Sequence, residues 1–407
     1  MSKTIVEINR MLNGSTGFMM RNIADCARES GYNVYTSCAD GLKQRKIKCK
    51  NHIFIGTIVG KRLHNILATR SGNQGGYSKF ETKRFLKKLD KLNPDLIHIH
   101  NLHTNYLNLE MLFDWIAKKK VPVVLTMHDC WTFTGHCAHF SLVQCDKWKT
   151  HCKDCAYYKE LYPITKIDKS YEMYELKKSM FEKVSKLHII TPSQWLKTIV
   201  EQSFLSSNET TVINNGINLD IFKPAKESKY KERFQGKFVI LGVAGLWYRS
   251  KGIEYFLELS KMIGNDIQIV LVGQTSGTGY ELPDNIVNIP YVDSPQEMAE
   301  LYSMADVFVN LTLEDTFPTV NIEALACGCP VITFKTGGSP EIIDEKTGIV
   351  VEQGDMKGLQ NAIECIQTGA IQREDCVNRA QAYDYRDKFK EYVKLYDKIL
   401  GGTGNSN

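Results

Sequence analysis

The sequence predicts an α/β chain folded as two doubly wound parallel-sheet domains facing a central cleft. Three observations carry that prediction. Strand-like apolar runs alternate with helical stretches along the whole chain, the pattern of parallel sheets crossed by helices. The alternation pauses at a turn-rich, proline-terminated connection, TTVINNGINLDIFKP, and starts afresh with KFVILGVAG. At 407 residues the chain is also longer than one ordinary core, and two domains of usual size account for it.

In the first half, TIVEIN, NVYTSC, HIFIG, LIHIHN, VPVVLTMHD and LHIITPS read as buried strands, with helices over residues 18–30, 79–92 and 107–119. In the second half KFVILGVAG, IQIVLVG, IVNIPYV, VFVNL and PVITF repeat the pattern. The first domain is placed at 1–222, with a cysteine-rich insertion at 130–155, and the second at 223–382. Residues 383–400 form an amphipathic helix with Phe389, Tyr392, Leu395, Tyr396 and Ile399 at helical spacing, long enough to cross back to the first domain. The closing GGTGNSN reads as a frayed tail.

Charged residues at 24% and apolar residues at 43% fit a soluble globular protein. No apolar run approaches the roughly 18–20 residues that a membrane span requires. The N-terminus, MSKTIVEINRML, enters a strand almost at once and lacks a signal-peptide pattern. The twelve cysteines therefore point to a reducing cytoplasm rather than a disulfide framework. The net charge of +5 is unevenly spread, because residues 43–91 hold fourteen Lys or Arg against two acids, a net +12. A basic face is drawn to anionic lipid headgroups by about 1 kcal/mol per residue close to the surface. The same run also reads as a solvated helix and loop. Nucleic acid would attract it too, but no recognition motif accompanies it.

Most of the chemistry lies in residues 305–340, ADVFVNLTLEDTFPTVNIEALACGCPVITFKTGGSP. The segment reads as a buried strand, an acidic turn with Glu314 and Asp315, a helix carrying Glu323 near its start, a Gly-Cys-Pro break, a second strand and a Gly-Gly turn. In an open α/β sheet, ligands sit at the carboxyl ends of strands, where loops and helix starts converge. An ionised carboxylate there accepts from two sugar hydroxyls at once. The plainer alternative is a capped surface turn, with Glu323 an ordinary helix residue.

This string resembles the donor-site signature of glycosyltransferase family 4: an acid, seven residues, a glutamate, then alanine and a Gly-x-Pro turn. The resemblance implies the GT-B fold, two Rossmann-like domains with the donor between them. Aligned on Phe317, Asp315 takes the first acidic position, with Glu314 one residue earlier, and Glu323 takes the second. Phe317, Pro318 and Thr319 fall at the donor's loop-to-helix junction. Other family positions follow. Gly14 and Gly17 of NGSTG open the first helix, where glycines and exposed amides suit a diphosphate. Lys251-Gly252 matches the basic pair; Leu246 stands where the family usually has arginine, and Arg249 is the nearest guanidinium. Gly273 and Tyr291 lie at strand ends where the family wraps the base.

The histidines of LIHIHNLH and VVLTMHD cluster at two strand ends. Alternation puts His98 and His100 on one side of their strand, which suits a metal pocket or a hydrogen-bonded lining. The resemblance assigns His128 to the reaction centre, with His100 and His103 on the acceptor side. Five cysteines crowd into residues 130–155. Cys152-x-x-Cys155 has the bite for tetrahedral zinc, and Cys137 and Cys145 complete a four-ligand set; free thiols or a disulfide are the alternatives. The insertion, the GSTG turn, a Gly-rich segment at 72–78 and HD-x-W-x-FTG-x-C resemble a subset of family 4 enzymes of bacterial surface-polysaccharide synthesis, including colanic acid.

Together these similarities imply a retaining glycosyltransferase using a UDP- or GDP-sugar. The diphosphate is expected on Arg249, Lys251 and the amides near Gly14 and Gly17, the sugar on Asp315 or Glu314, and the ribose on Glu323. They imply no cofactor for catalysis, so any zinc is structural. The expected acceptor is a lipid-linked oligosaccharide at the inner face of the membrane, which gives the basic segment a docking role. Two rival readings are a nucleotide-sugar 2-epimerase on the same scaffold and a zinc-bearing nucleic-acid binding protein. The second leaves half the chain unexplained.

Overall fold

A computed structural model describes residues 2–230, 232–277 and 279–401; the tail at 402–407 lies outside them. The chain divides into two compact units, one formed by residues 1–213 with the segment from Phe389 onward, the other by Asn214–Lys388. The division falls at Ile213, not at 222. The connection after it is bonded to the second unit: the Ile217 amide donates to Tyr383 O, the Tyr385 amide to Ile217 O, and the Ala225 amide to Ser303 Oγ. Turn-rich sequence marks a boundary but not the side on which its hydrogen bonds close.

In the first unit β1 (Thr4–Asn9), β2 (Asn33–Ala39), β3 (His52–Ile55), β4 (Leu96–Ile99), β5 (Val123–Thr126), β6 (Leu187–Thr191) and β7 (Glu209–Val212) form one sheet, ordered β3-β2-β1-β4-β5-β6-β7. In the second, β8 (Phe238–Leu246), β9 (Ile267–Gln274), β10 (Ile286–Ile289), β11 (Val307–Asn310), β12 (Val331–Phe334) and β13 (Gly348–Val351) are ordered β10-β9-β8-β11-β12-β13. Every ladder in both sheets is parallel. These are Rossmann-like domains. The central strands β4, β5, β11 and β12 are buried at every position. A parallel sheet covered on both faces by helices requires such runs.

Local capping fixes several helix starts. Thr57, Asn108, Ser193, Ser294 and Asp355 each accept from the backbone N–H three residues on, a contact worth about 1 kcal/mol. Helix Gly14–Glu29 starts four residues before the expected 18, because the NGSTG turn itself provides its first turn. Helices Ile58–Ser71 and Ser170–Glu182 and strand β13 were not legible as such. In Ser170–Glu182 the charged Lys177 lies on the buried face and breaks the apolar stripe. The insertion carries no long element, yet Trp131, Phe133, Phe140 and Trp148 pack into the first unit's main core. No helix among the described residues is long and apolar enough to cross a membrane.

Candidate functional site

In each sheet the chain reverses its direction of travel once, between β1 and β4 and between β8 and β11. Loops leaving the carboxyl ends of those neighbours diverge, opening the crevice where such folds take ligands. Several predicted residues lie at these two points: Gly14, Gly17, His100 and His103 in the first unit, and Arg249, Lys251, Glu314 and Asp315 in the second.

In the second unit, the loop after β8 carries Arg249 and Lys251, and the loop after β11 carries Glu314 and Asp315. They are stitched together: the Leu313 amide donates to Ser250 O at 2.8 Å, and Thr312 Oγ1 donates to the same carbonyl at 3.2 Å. Gly252 is indispensable to the approach, since it sits at φ +77° and a Cβ there would fall 2.1 Å from Leu311 O. Lys251 Nζ lies 3.3 Å from Asp315 Oδ2, both partly exposed. Asp315 Oδ1 accepts from the Phe317 amide at 3.2 Å. Arg249 is more open, with Nε 3.6 Å from Glu254 Oε2.

Glu323, on helix Thr319–Ala326, accepts from Tyr302 Oη at 3.2 Å. Burial nevertheless outweighs the hydroxyls of Tyr302 and Thr319 and lifts its carboxyl to about 7. Pro318 caps that helix and Thr319 is its first residue. Phe317 is a different matter: its ring is buried in the unit's core, tilted against Tyr383, so only its backbone can meet a ligand. Gly273 has a structural duty, at φ +119° with a virtual Cβ 1.7 Å from Ala244 O. Tyr291 is 73% exposed beyond the edge strand β10 and is open to stacking.

In the first unit, Gly14 (φ +71°) opens the helix after β1. Gly17 is forced by packing, since a Cβ there would lie 2.3 Å from Leu12 C. Asn13 occupies the cap position but makes no side-chain cap bond, so the first-turn amides are not satisfied in that way. After β4 and β5, the histidines form two linked pairs. His100 Nδ1 is 3.1 Å from His128 Nε2, with the rings stacked at 13°. His103 Nε2 is 2.8 Å from Asp129 Oδ2. Burial opposes ionisation of Asp129, but His103 beside it holds the carboxyl down to about 2.

His98 and His100 do share a face, their ring centroids 4.2 Å apart. His100 is not a lining residue, however. Its side chain is fully buried, so it reaches any ligand only through the half-buried His128. Burial pushes His128 down to about 4, keeping it neutral at pH 7. A residue missed from sequence is Glu7 on β1, wholly buried beside His98 and His100. The signal was present: a lone carboxylate within a buried strand, between Ile5, Val6 and Ile8.

The four cysteines of the expected set come together, each close enough to act on the charge of the others. Among the described residues, the ligand group with all donor atoms within 4.8 Å of one another is Glu7, His98 and His100, and the sulfurs of Cys137, Cys145, Cys152 and Cys155 do not meet that spacing. All four are free thiols, with Cys137 buried. Burial raises Cys152 to about 11 and Cys155 above its ordinary value. Gly135 packs its backbone on Cys152, where a Cβ would lie 2.6 Å from Cys152 Cβ. Lys177 fills the neighbouring space, donating to Trp131 O at 2.6 Å with its ammonium 4.0 Å from the Trp131 ring centroid. Burial lowers that lysine to about 7. The four thiols thus form one loose cluster in the insertion, spaced more widely than the Glu7, His98 and His100 group.

Comparison with known proteins bears on both units. A family model described as Glycosyltransferase Family 4 matches residues 17–221, and one described as Glycosyl transferases group 1 matches residues 225–383. The colanic acid biosynthesis glycosyl transferase WcaC of Escherichia coli is 27% identical over 318 residues, 75% of this chain and 77% of that one. The N,N'-diacetylbacillosaminyl-diphospho-undecaprenol alpha-1,3-N-acetylgalactosaminyltransferase of Campylobacter jejuni is 28% identical over 213 residues, 48% of this chain and 56% of that one. Among solved structures, sucrose-phosphate synthase from Thermosynechococcus elongatus superposes with a TM-score of 0.71 at 18% identity, covering 98% of this chain and 100% of that one.

Proposed function

This chain belongs to glycosyltransferase family 4, and on that premise we propose that it transfers a hexose, with retention, from a UDP- or GDP-sugar to a lipid-linked oligosaccharide in bacterial surface-polysaccharide synthesis. One observation carries the proposal: Lys251 and Asp315 meet across the reversal point of the second sheet, a cation for phosphate and a carboxylate for sugar hydroxyls within 3.3 Å. Charge builds on the diphosphate as the glycosidic bond breaks, and a cation fixed there stabilises that state more than the ground state. Arg249, on the same loop, adds to that field. Glu323 receives the ribose, and Tyr291 the base. With no side chain assigned as nucleophile, the acceptor hydroxyl attacks on the leaving-group face and its proton passes to the departing phosphate oxygen.

The acceptor and its location draw on the relatives, whose names specify colanic acid and a diphospho-undecaprenol substrate. Thermal stabilisation by a panel of nucleotide sugars tests the donor assignment, since a ligand bound by the native state alone raises the melting point. One nucleotide series is expected to shift it and to be consumed only when acceptor is present. Conversion of donor alone to its 2-epimer would replace the assignment with epimerisation.

A docking face supports the membrane part of the proposal. Helix Ile58–Ser71 turns Val59, Leu63 and Ile66 outward, 75%, 56% and 48% exposed, with Arg62 and Arg70 on the same side. Helix Lys79–Leu92 adds the 68% exposed Phe80 and a row of Lys83, Arg84, Lys87, Lys88 and Lys91. Aliphatic anchors among cations are what a helix lying in an anionic headgroup layer needs. Leu63→Asp/Ile66→Asp is expected to weaken co-sedimentation with phosphatidylglycerol vesicles about tenfold or more. Unchanged binding would remove this face from the membrane.

A further inference from the structure

Behind His128 lies a polar chain that the proposed reaction leaves unused. Glu7 on β1 and His100 on β4 are fully buried, with Glu7 Oε2 3.5 Å from His100 Nε2. His100 Nε2 makes no hydrogen bond, and the Glu7 carboxyl makes none of good geometry, with the Tyr396 hydroxyl its other polar neighbour. The far nitrogen of the same imidazole, Nδ1, is 3.1 Å from His128 Nε2. The three groups thus run in file from the sheet interior to a side chain that reaches solvent. His98 does not join them as a metal ligand, because Tyr396 Oη at 2.6 Å and Thr126 Oγ1 at 2.8 Å occupy its two nitrogens. That leaves only Glu7 and one nitrogen of His100, too few donors for a stable metal site.

We propose that Glu7, His100 and His128 form a buried proton relay, in which Glu7 acts as a positioning residue that sets where the proton sits on His128. The inference rests on the reading of His128 as a reaction-centre residue. A buried carboxyl stripped of water holds its proton, and burial raises Glu7 well above the ordinary carboxylate range. Its O–H then needs an acceptor, since an orphaned buried donor costs about 1–3 kcal/mol. His100 Nε2 is that acceptor, which places the His100 proton on Nδ1. That proton in turn points at His128 Nε2 and puts His128 in the Nδ1–H form.

When an anion comes against His128, two protons can shift together. Glu7 releases its proton to His100 Nε2, breaking O–H and making N–H, and His100 passes its Nδ1 proton to His128 Nε2. Glu7 becomes a carboxylate, His100 stays neutral and His128 becomes an imidazolium. The cluster's net charge does not change, so no ion is taken up from solvent. The groups facing Glu7 are His98 and His100 on β4, Tyr392 and Tyr396 on helix Tyr385–Leu400, and Arg28 and Asp25 on helix Gly14–Glu29. Those facing His128 include His98, His100, His103 and Asp129.

Nitrogen-15 spectra of histidine-labelled protein read the relay without substrate. The wild type is expected to show neutral His128 protonated on Nδ1, and Glu7→Leu to show mixed His128 tautomers at a retained fold. Glu7→Gln, whose amide still donates but cannot give up a proton, should keep the tautomer and KM while losing about tenfold or more in kcat. Nε2–H on wild-type His128, or a His128 spectrum unmoved by Glu7→Leu in folded protein, overturns the relay. So does Glu7→Gln with wild-type kcat and pH profile. Full activity of His128→Ala would instead sink the reaction-centre reading, and the spectra would remain informative about the relay.

Discussion

Lys251→Ala is expected to lower kcat for sugar transfer by about a hundred- to a thousandfold, the usual cost of removing one fixed charge from an oxyanion in a water-poor site. The fold should survive. The lysine's ionic partner is Asp315 at 3.3 Å, and both side chains are partly exposed, so the pair contributes at most about 1 kcal/mol to stability. The loop is held by backbone instead, through the Ser250 carbonyl and the close approach of Gly252 to Leu311. Single-turnover kinetics on folded Lys251→Ala protein check this, with Arg249→Ala as the comparison. Arg249 is more exposed and farther from its partner, so its loss should cost less. A near-normal rate in Lys251→Ala would take the phosphate off this loop.

The second large effect concerns pH. Burial lifts Glu323 to about 7, so the carboxyl is mostly protonated at pH 6 and mostly ionised at pH 8. Only the ionised form accepts from both ribose hydroxyls. Nucleoside diphosphate affinity should therefore rise about tenfold between pH 6 and pH 8, with proton release on binding. The sign for the free fold is opposite. A carboxyl raised above its unfolded value favours the folded state below the ordinary carboxylate range, and that stabilisation fades as pH climbs through about 7. Bound nucleotide should accordingly raise the melting point more at pH 8 than at pH 6. Glu323→Gln should flatten both trends. Calorimetry showing a pH-independent affinity in the native protein would place the ribose elsewhere.

Much of the site could be read in the order of residues because its parts are local. Asp315, Pro318, Thr319 and Glu323 fall on one loop and the helix it opens, and Lys251-Gly252 is a contiguous pair. What escaped reading depended on distant partners. Phe317 looked like a ligand contact until Tyr383, far along the chain, covered its ring. His100 looked like cleft lining until Glu7 and His128 enclosed it. Helix Ile58–Ser71 hid because its aliphatic residues lie on the outer face, the reverse of a core-facing helix.

The sequence alone determined the class of fold, the number of domains, the chemistry of the second unit's loops and the basic character of one face, since each follows from periodicity, turn residues and charge counted over short windows. Only the tertiary structure decided which carboxylate faces which cation, which histidine is half-buried and which fully buried, and that Glu7 stands next to His100. Those pairings come from strand order: β1 and β4 are neighbours although nearly ninety residues separate them, and β8 and β11 likewise lie side by side. Burial at those seams then sets the protonation of Glu7, His128 and Glu323, a property that no residue carries until its neighbours have excluded water.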